Sequence, residues 1–386
     1  MNRLYKWLWL TVKVNITITK VRQLIEYFGD VDKVYDAKPN EFLRLKFLDD
    51  SEMTRLSNKS VDGIESFLEV LSNNNVKVVT IDMPEYPQIL KYSFTPPYVL
   101  YCRGKFINLN DFIAISVVGT RKPSSYGVNV VNDMAYKLAC EGIIVVSGMA
   151  FGIDSLAHKA ALKAGMPTVA ILGCGINRVY PPAHADLMCE IMKTGMGISE
   201  YPPNTEPMKH HFPERNRIIG AISAGTVVIE ATIDSGSLIT ANLASEMGRD
   251  VFAVPGDINS LNSMGTNDLI KEGAQLITSI DEVIDKYKYF GSSFYSKPYD
   301  KMLYNSKKEL GIKNEEIKEE NDAQMSKYPK QEDAILKILT SRPTHIDIIA
   351  STLSTTPDSL SAILLTMELN GDIISHPGDS YSLSIK

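Results

Sequence analysis

The sequence predicts an α/β protein: a mostly parallel sheet with helices on both faces, a small helical unit ahead of it and a winged-helix unit behind it. Three observations carry that expectation. From about residue 111, short apolar runs rich in β-branched residues follow one another: FIAISVVG, IIVVSG, TVAILG, TVVIEA and VFAVPG. Helical stretches such as VNVVNDMAYKLACEG and DSLAHKAALKAG separate them. Strands that are apolar throughout and alternate with helices are buried on both faces. Finally, three helical runs and a hairpin close the chain after residue 331.

With 386 residues the chain exceeds one ordinary domain, and two or three are expected. Residues 1–75 read as short helices. The start, MNRLYKWLWLTVKV, looks superficially like a signal peptide. Its apolar run is only WLWL and then meets Lys13, with no small-residue cleavage pattern, so it reads as a packed first helix. No stretch approaches the ~20 apolar residues that span a bilayer. TITKVRQLIEYFGDVDKVYDAKPNEFLRL has apolar residues at helical spacing, a break at Gly29-Asp30 and a second helix after Pro39-Asn40. This resembles helix-hairpin-helix or SAM-like units, and fits a plain helical bundle equally well.

Residues 76–290 read as one extended sheet domain. VKVVTI (76–81) is its first strand. MPEYPQILKYSFTPPYVLYCRG is an extended arm with one or two further strands, and QLITSIDEVIDKY closes the unit near 288. Residues 291–330 are polar and charged without an apolar face, which makes a linker. Residues 331–386 form the winged-helix unit. EDAILKIL is an amphipathic helix, HIDIIASTL and TTPDSLSAILLTMELNG make a helix–turn–helix with Pro357 at the second start, and DIISHPGDSYSLSI is a hairpin. Seven acids there face three bases, Lys337, Arg342 and Lys386. A winged helix pressed into a DNA groove needs phosphate-neutralising cations. This one lacks them, which favours a protein partner.

The formal charge is −6, so any polyanion must be met by a local patch. Four scattered cysteines without CxxC spacing (Cys102, Cys140, Cys174, Cys189) fit a reduced cytoplasmic protein and argue against a zinc knuckle or a disulfide scaffold.

In an open parallel sheet, ligands bind outside the carboxyl ends of the strands. The loops there are rich in small residues. Gly119-Thr120-Arg121 offers a guanidinium fork for phosphate. Ser147-Gly148-Met149 leads through Gly152 into a helix whose free backbone N–H groups would cradle an anion. Gly173-Cys174-Gly175 runs on to Arg178 and Tyr180-Pro181-Pro182. Glu200-Tyr201-Pro202-Pro203 precedes Lys209, and Glu230 precedes Ser235-Gly236-Ser237. The segment 111–290 is slightly acidic, so its bases must cluster on this edge for an anion site to exist.

HHFPERNRIIGAIS (210–223) is the richest of these stretches. Pro213 at a first helical position marks a helix start. Phe212 then lies just outside, either facing the cleft or stapling the helix start. Lys209 stands three residues earlier. A lysine for phosphate beside an aromatic for a base is the minimal single-stranded nucleic-acid device. Arg215 and Arg217, with Asn216 between them, do not share a helix face. One reaches the ligand while the other braces Glu214, Glu230 or a neighbouring loop.

Enzyme signatures are missing: no GxxxxGK[ST], no third glycine after GCGINR, no HExxH and no GxSxG. Adjacent His210-His211 make a poor chelate, so neither a metal nor a cofactor is expected. His158 reads as a satisfied structural histidine and Asp154 as a helix cap.

SVVGTRKPSSYG, VVSGMAFGIDSLAHKAAL, AILGCGINRVYPPAH, ISEYPPNTEPMKHHFPERNRIIGAIS, VVIEATIDSGSLITANLASEMGRDVFAVPGDI and GTNDLIKEGAQLI, in that order, resemble the DNA-processing protein A family (DprA, also called Smf). The likeness is strongest over about 80–280. It implies a Rossmann-like sheet domain, a SAM-like front and a non-enzymatic role. Members bind single-stranded DNA taken up in natural transformation, protect it, help load the RecA recombinase and form homodimers through the Rossmann-like domain. Carried over, the family's DNA pocket falls on Arg121 of GTR, Ser147-Gly148 of SGMAFG, and Lys209 and Phe212 of MKHHF, bordered by Arg215 to Arg217. Met149, Gly173, Ser235, Gly236 and Ser237 complete the expected DNA edge. An apolar patch on the late helices, 265–288, is the expected dimer face. A second resemblance is distant. The sheet with Glu230 and SGSLITA is similar to phosphoribohydrolase (lysine-decarboxylase-like) proteins, which act on nucleotides, but PGDINSLN stands where PGGxGTxxE is expected.

Overall fold

The computed structural model describes residues 2–288 and scattered positions between 335 and 383. The chain divides into two compact units, 1–306 and 307–386. The polar stretch 291–330, Pro357 and the hairpin turn 377–379 lie outside the described residues.

The first unit opens with α1 (Arg3–Leu8), a π-helical turn (Trp9–Val14), α2 (Ile18–Phe28), α3 (Val31–Asp36), α4 (Pro39–Phe42), α5 (Asp50–Ser57) and α6 (Ile64–Asn73). Short polar side chains set their starts. Asp30 caps α3, and Asp49 and Glu52 form a reciprocal capping box on α5. The WLWL run is buried throughout. Trp7 stacks on Tyr98 at 5.0 Å, and the indole N–H of Trp9 donates to the Asn58 carbonyl at 2.8 Å. The core of these helices does not close on itself. It continues through Tyr98 and Tyr101 to Leu172, Cys174 and Met188 at one border of the sheet.

The sheet elements follow in order: β1 (Val76–Thr80), β2 (Val99–Gly104), β3 (Ala114–Val118), α7 (Ser125–Cys140), β4 (Ile144–Ser147), α8 (Ile153–Lys163), β5 (Thr168–Ile171), α9 (Ala185–Thr194), β6 (Met196–Ser199), α10 (His211–Ile222), β7 (Gly225–Val228), α11 (Gly236–Glu246), β8 (Asp250–Ala253), α12 (Leu261–Lys271), β9 (Gln275–Leu276) and α13 (Asp281–Lys288). Among the described residues they make a nine-stranded sheet in the order β1-β2-β6-β5-β4-β3-β7-β8-β9. The strands from β6 to β9 in this order pair in parallel, while β1–β2 and β2–β6 are antiparallel. The arm residues thus form an antiparallel extension of the parallel core. Strand β6 is absent from the five apolar runs because MGIS has one β-branched residue and a glycine.

Helices cover both faces, as expected. Leu138, Ala157 and Val283 of α7, α8 and α13 pack against Ile115, Val117 and Val145. On the other face Ile218 and Ile222 of α10 and Ala241 of α11 pack against Val118, Ile144 and Val228. Helix α10 carries the chain from β6 back to β7, past the intervening strands. Its first turn therefore lies across the carboxyl ends of β4 and β5.

The second unit contains a small antiparallel sheet of β10 (Thr344–His345), β11 (Ile373–His376) and β12 (Ser380–Leu383), in the order β10-β12-β11. Ile335, Ile349, Leu364, Met367 and Ile373 form its core.

Candidate nucleic-acid interface

Arg215 ties the carboxyl edge together. It is 4% exposed. One guanidinium nitrogen donates to the Gly148 carbonyl at 2.5 Å and to the Ile171 carbonyl, so it clips the ends of β4 and β5. Its Nε donates to Asn216 Oδ1, and Asn216 Nδ2 donates to the Gly236 carbonyl at 3.1 Å. Arg217 turns elsewhere, to Glu200 and the Thr95 carbonyl. The expectation that one arginine of RNR reaches outward is therefore corrected. Both are bonded within the fold, because α10 lies over the sheet and each guanidinium must be satisfied where it is buried.

The helix-start expectations also shift. Helix α10 begins at His211, so Pro213 sits in its third position and Phe212 in its first turn. Proline is tolerated there because first-turn N–H groups have no helical partner. The Phe212 ring lies over Gly173, where an added methyl would stand 3.1 Å from it. The ring also meets Tyr180, at 5.2 Å between centroids with the planes tilted by 39°, and it is half-exposed. His211 is buried and stacks on Tyr201 at 4.2 Å, and burial lowers its imidazole.

Asp154 is not the cap of α8; Gly152 holds that position. The Asp154 carboxylate instead accepts from the N–H groups of Gly148 (3.1 Å) and Ala150 (3.3 Å). Two of the loop N–H groups expected to be free for an anion are thus taken by the protein's own carboxylate. Burial raises that carboxyl, and the charge of Arg215 opposes the rise. Both groups crowd Gly148: a methyl there would stand 2.7 Å from Asp154 Oδ2 and 2.8 Å from Arg215 Cζ. Ser147 donates to the Val117 carbonyl at 2.7 Å, and the buried Met149 offers its carbonyl to His184 Nδ1 at 2.9 Å. At α11, Ser235 caps the helix and its hydroxyl meets that of Ser237 at 2.7 Å.

Helix α7 repeats the arrangement. Glu230, 2% exposed, accepts from the Ser124 hydroxyl (2.5 Å) and the Ser124 N–H (2.9 Å). Gly127 makes room, since a methyl there would lie 2.2 Å from a carboxylate oxygen. The bridge spans the crevice between β3 and β7, where the direction of strand succession reverses and nucleotide phosphates sit in related folds. Sequence reasoning missed this plug; the signal was the pair Ser124 and Gly127 in PSSYG. His158 is only half satisfied. Thr168 gives its hydroxyl proton to the Val145 carbonyl, so His158 Nδ1 must donate to Thr168 and Nε2 has no partner. Burial lowers this imidazole to about 3, so it stays neutral.

With the Gly148, Ala150 and Ser124 N–H groups taken from within, exposed side chains add to the anion-binding capacity of this edge. Arg121 and Lys209 are exposed, and neither has an ion-pair partner among the described residues. Arg178, by contrast, pairs with Glu206 at 2.7 Å. Arg121 follows β3. Its backbone is pressed against Gly152, which has φ +78 and no room for a side chain. Burial lowers the Arg215 guanidinium, and the charge of Arg121 adds to that.

The family model described as DNA recombination-mediator protein A matches residues 77–288. The chain belongs to this family. A second model, the DprA winged helix domain, matches residues 320–379. DNA processing protein DprA of Bacillus subtilis is 38% identical over 219 residues, 57% of this chain and 74% of its own length. Protein Smf of Escherichia coli is 34% identical over 317 residues, 82% of this chain and 80% of that protein. The crystal structure of DprA from Streptococcus pneumoniae superposes with a TM-score of 0.60 at 34% identity, covering 73% of this chain and 96% of that one. That of the Helicobacter pylori family member, described for its single-stranded DNA binding mode, gives 0.51 at 31% identity, covering 55% and 96%. Membership makes this chain a DNA-processing recombination mediator built on a mostly parallel α/β sheet. Among the described residues no helix is long and apolar enough to cross a membrane.

Proposed function

We propose that the chain binds single-stranded DNA along the carboxyl edge of its sheet, without turnover. On this reading it protects incoming strands in natural transformation and helps load RecA, acting in the cytoplasm as a homodimer. Arg121 and Lys209 hold phosphates and Phe212 stacks on a base. The residues from Ser147 to Met149, Gly173, Arg215 to Arg217 and Ser235 to Ser237 keep that edge in shape. One observation carries the reading: two unpaired, exposed cations share this edge with a half-exposed ring, while the seats for a free phosphate are filled from within. The related H. pylori protein, described as binding single strands, supports it. Glu230, the glutamate that the phosphoribohydrolase resemblance would use, has both oxygens bonded inside the fold, which favours binding over turnover.

Gel shifts with a poly-dT oligonucleotide at rising salt test the reading. Log K should fall linearly with log salt, by about 0.7 per phosphate neutralised. Salt-independent binding, or free base released from nucleoside monophosphates, would contradict it. For pairing, exposed Leu261, Met264 and Leu276 border or lie in the 265–288 stretch, and sedimentation equilibrium decides whether the chain dimerises. RecA loading is read as faster RecA assembly on a coated strand. The acidic tail is proposed to bind protein. Deleting 331–386 should leave oligonucleotide affinity unchanged to within about twofold, since it removes few cations. A large loss of affinity would place DNA on the tail.

A further inference from the structure

We propose that Phe151 and Tyr180 extend the Phe212 position into an arc of rings that stacks consecutive bases of one strand. The inference rests on the single-stranded DNA reading and names two contact residues beyond it.

Phe151 is 48% exposed and Tyr180 45% exposed. Isolated exposed aromatics need no explanation, but these two are connected. Tyr180 meets Phe212 at 5.2 Å with the planes 39° apart. Phe151 meets the buried His184 ring edge-on at 4.8 Å. His184 lies four residues beyond Tyr180, and its Nδ1 is bonded to the Met149 carbonyl, two residues before Phe151. The loop after β4 and the segment 180–184 are therefore tied together, with Phe151 on one side and Tyr180 and Phe212 on the other.

The backbone presents Phe151 outward at a cost. Met149 has φ +60 and Gly152 φ +78, so left-handed residues bracket it. A non-glycine residue in that region is strained, and such strain collects at functional sites. The strained turn is held firmly by Asp154 through the Gly148 and Ala150 N–H groups. The ring at its tip is presented on a rigid support.

The ends of the arc carry charge. Gly152, next to Phe151, abuts the Thr120-Arg121 backbone, and Lys209 stands three residues before Phe212. A row of rings between two unpaired cations is how sequence-tolerant single-strand sites are built: phosphates track the charges and bases lie on the rings.

The test uses the full chain. Phe151→Leu and Tyr180→Leu keep apolar bulk and remove the ring, and both sites are exposed enough that folding should be unaffected, as a melting curve would verify. Each should bind oligo-dT about tenfold more weakly than the unmodified protein. The salt slope should stay the same, because no charge is lost. Phe151→Trp should restore affinity. On an oligonucleotide of abasic sites the leucine variants should match the unmodified protein. Full affinity of both variants for oligo-dT, with Lys209→Ala impaired, would overturn the arc and leave the function standing. A penalty persisting on the abasic strand would overturn stacking. Failure of the unmodified protein to bind oligo-dT would remove both proposals.

Discussion

Replacing Arg121 and Lys209 together by alanine is expected to weaken oligonucleotide binding on the order of 100-fold or more. Each is exposed and has no ion-pair partner among the described residues, so its positive charge is available to a phosphate. A charged hydrogen bond contributes roughly 1.5–3 kcal/mol, or about 10- to 100-fold per residue. The same double variant should flatten the salt dependence by about 1.4 in slope, since two phosphate contacts are lost. Stability should be unchanged. A binding titration at two or three salt concentrations reads both quantities. Retained affinity with an unaltered slope would move the strand away from this edge.

Arg215→Ala should act on the fold rather than on the strand. Its guanidinium is buried and satisfies the Gly148 and Ile171 carbonyls beside buried Asp154. Removing the guanidinium leaves two buried carbonyls without their donor, at about 1–3 kcal/mol for each group left unsatisfied, and takes the nearby cation from Asp154. Chemical denaturation should show a loss of that size, and pH gives it a signature. The Asp154 carboxyl is already raised by burial, and loss of Arg215 removes the opposing pull. A carboxyl raised in the folded state is held protonated there while the unfolded chain releases its proton. The penalty is therefore absent below the ordinary carboxylate range and grows as pH climbs through the raised value. The deficit of Arg215→Ala relative to the unmodified chain should shrink on acidification, and adding Asp154→Asn should recover part of it at neutral pH. A deficit indifferent to both changes would mean that Asp154 is not what Arg215 stabilises.

Much of this architecture was legible in the residues. The five apolar runs became β3, β4, β5, β7 and β8 because a strand covered on both faces has no choice of composition. Strand β6 is not among the apolar runs, because MGIS has little local preference of its own, although the loop from Glu200 is expected at a strand end. At the edge, the motif order located the loops, but which polar group points where was decided by burial. Arg215 and Arg217 looked like ligand cations because their charge is visible in a sequence. The carbonyls and carboxylates that take them, Gly148, Ile171, Thr95 and Glu200, come from four separate segments. Asp154 and Glu230 were misjudged for the same reason. A carboxylate two residues into a helix or at a strand end gives no hint that it will fold back over a row of amides.

Those two carboxylates bear on selectivity inside a cell crowded with metabolites. Where open α/β sheets in general seat a nucleotide phosphate, beside the strand ends at the switch point, this chain places Glu230, with Asp154 at the neighbouring strand end. On the proposed reading, a mononucleotide finds the Gly148, Ala150 and Ser124 N–H groups already bonded to Asp154 and Glu230. The proposed site would then offer separate side-chain contacts that a polymer can combine; effective competition by a lone mononucleotide would contradict it.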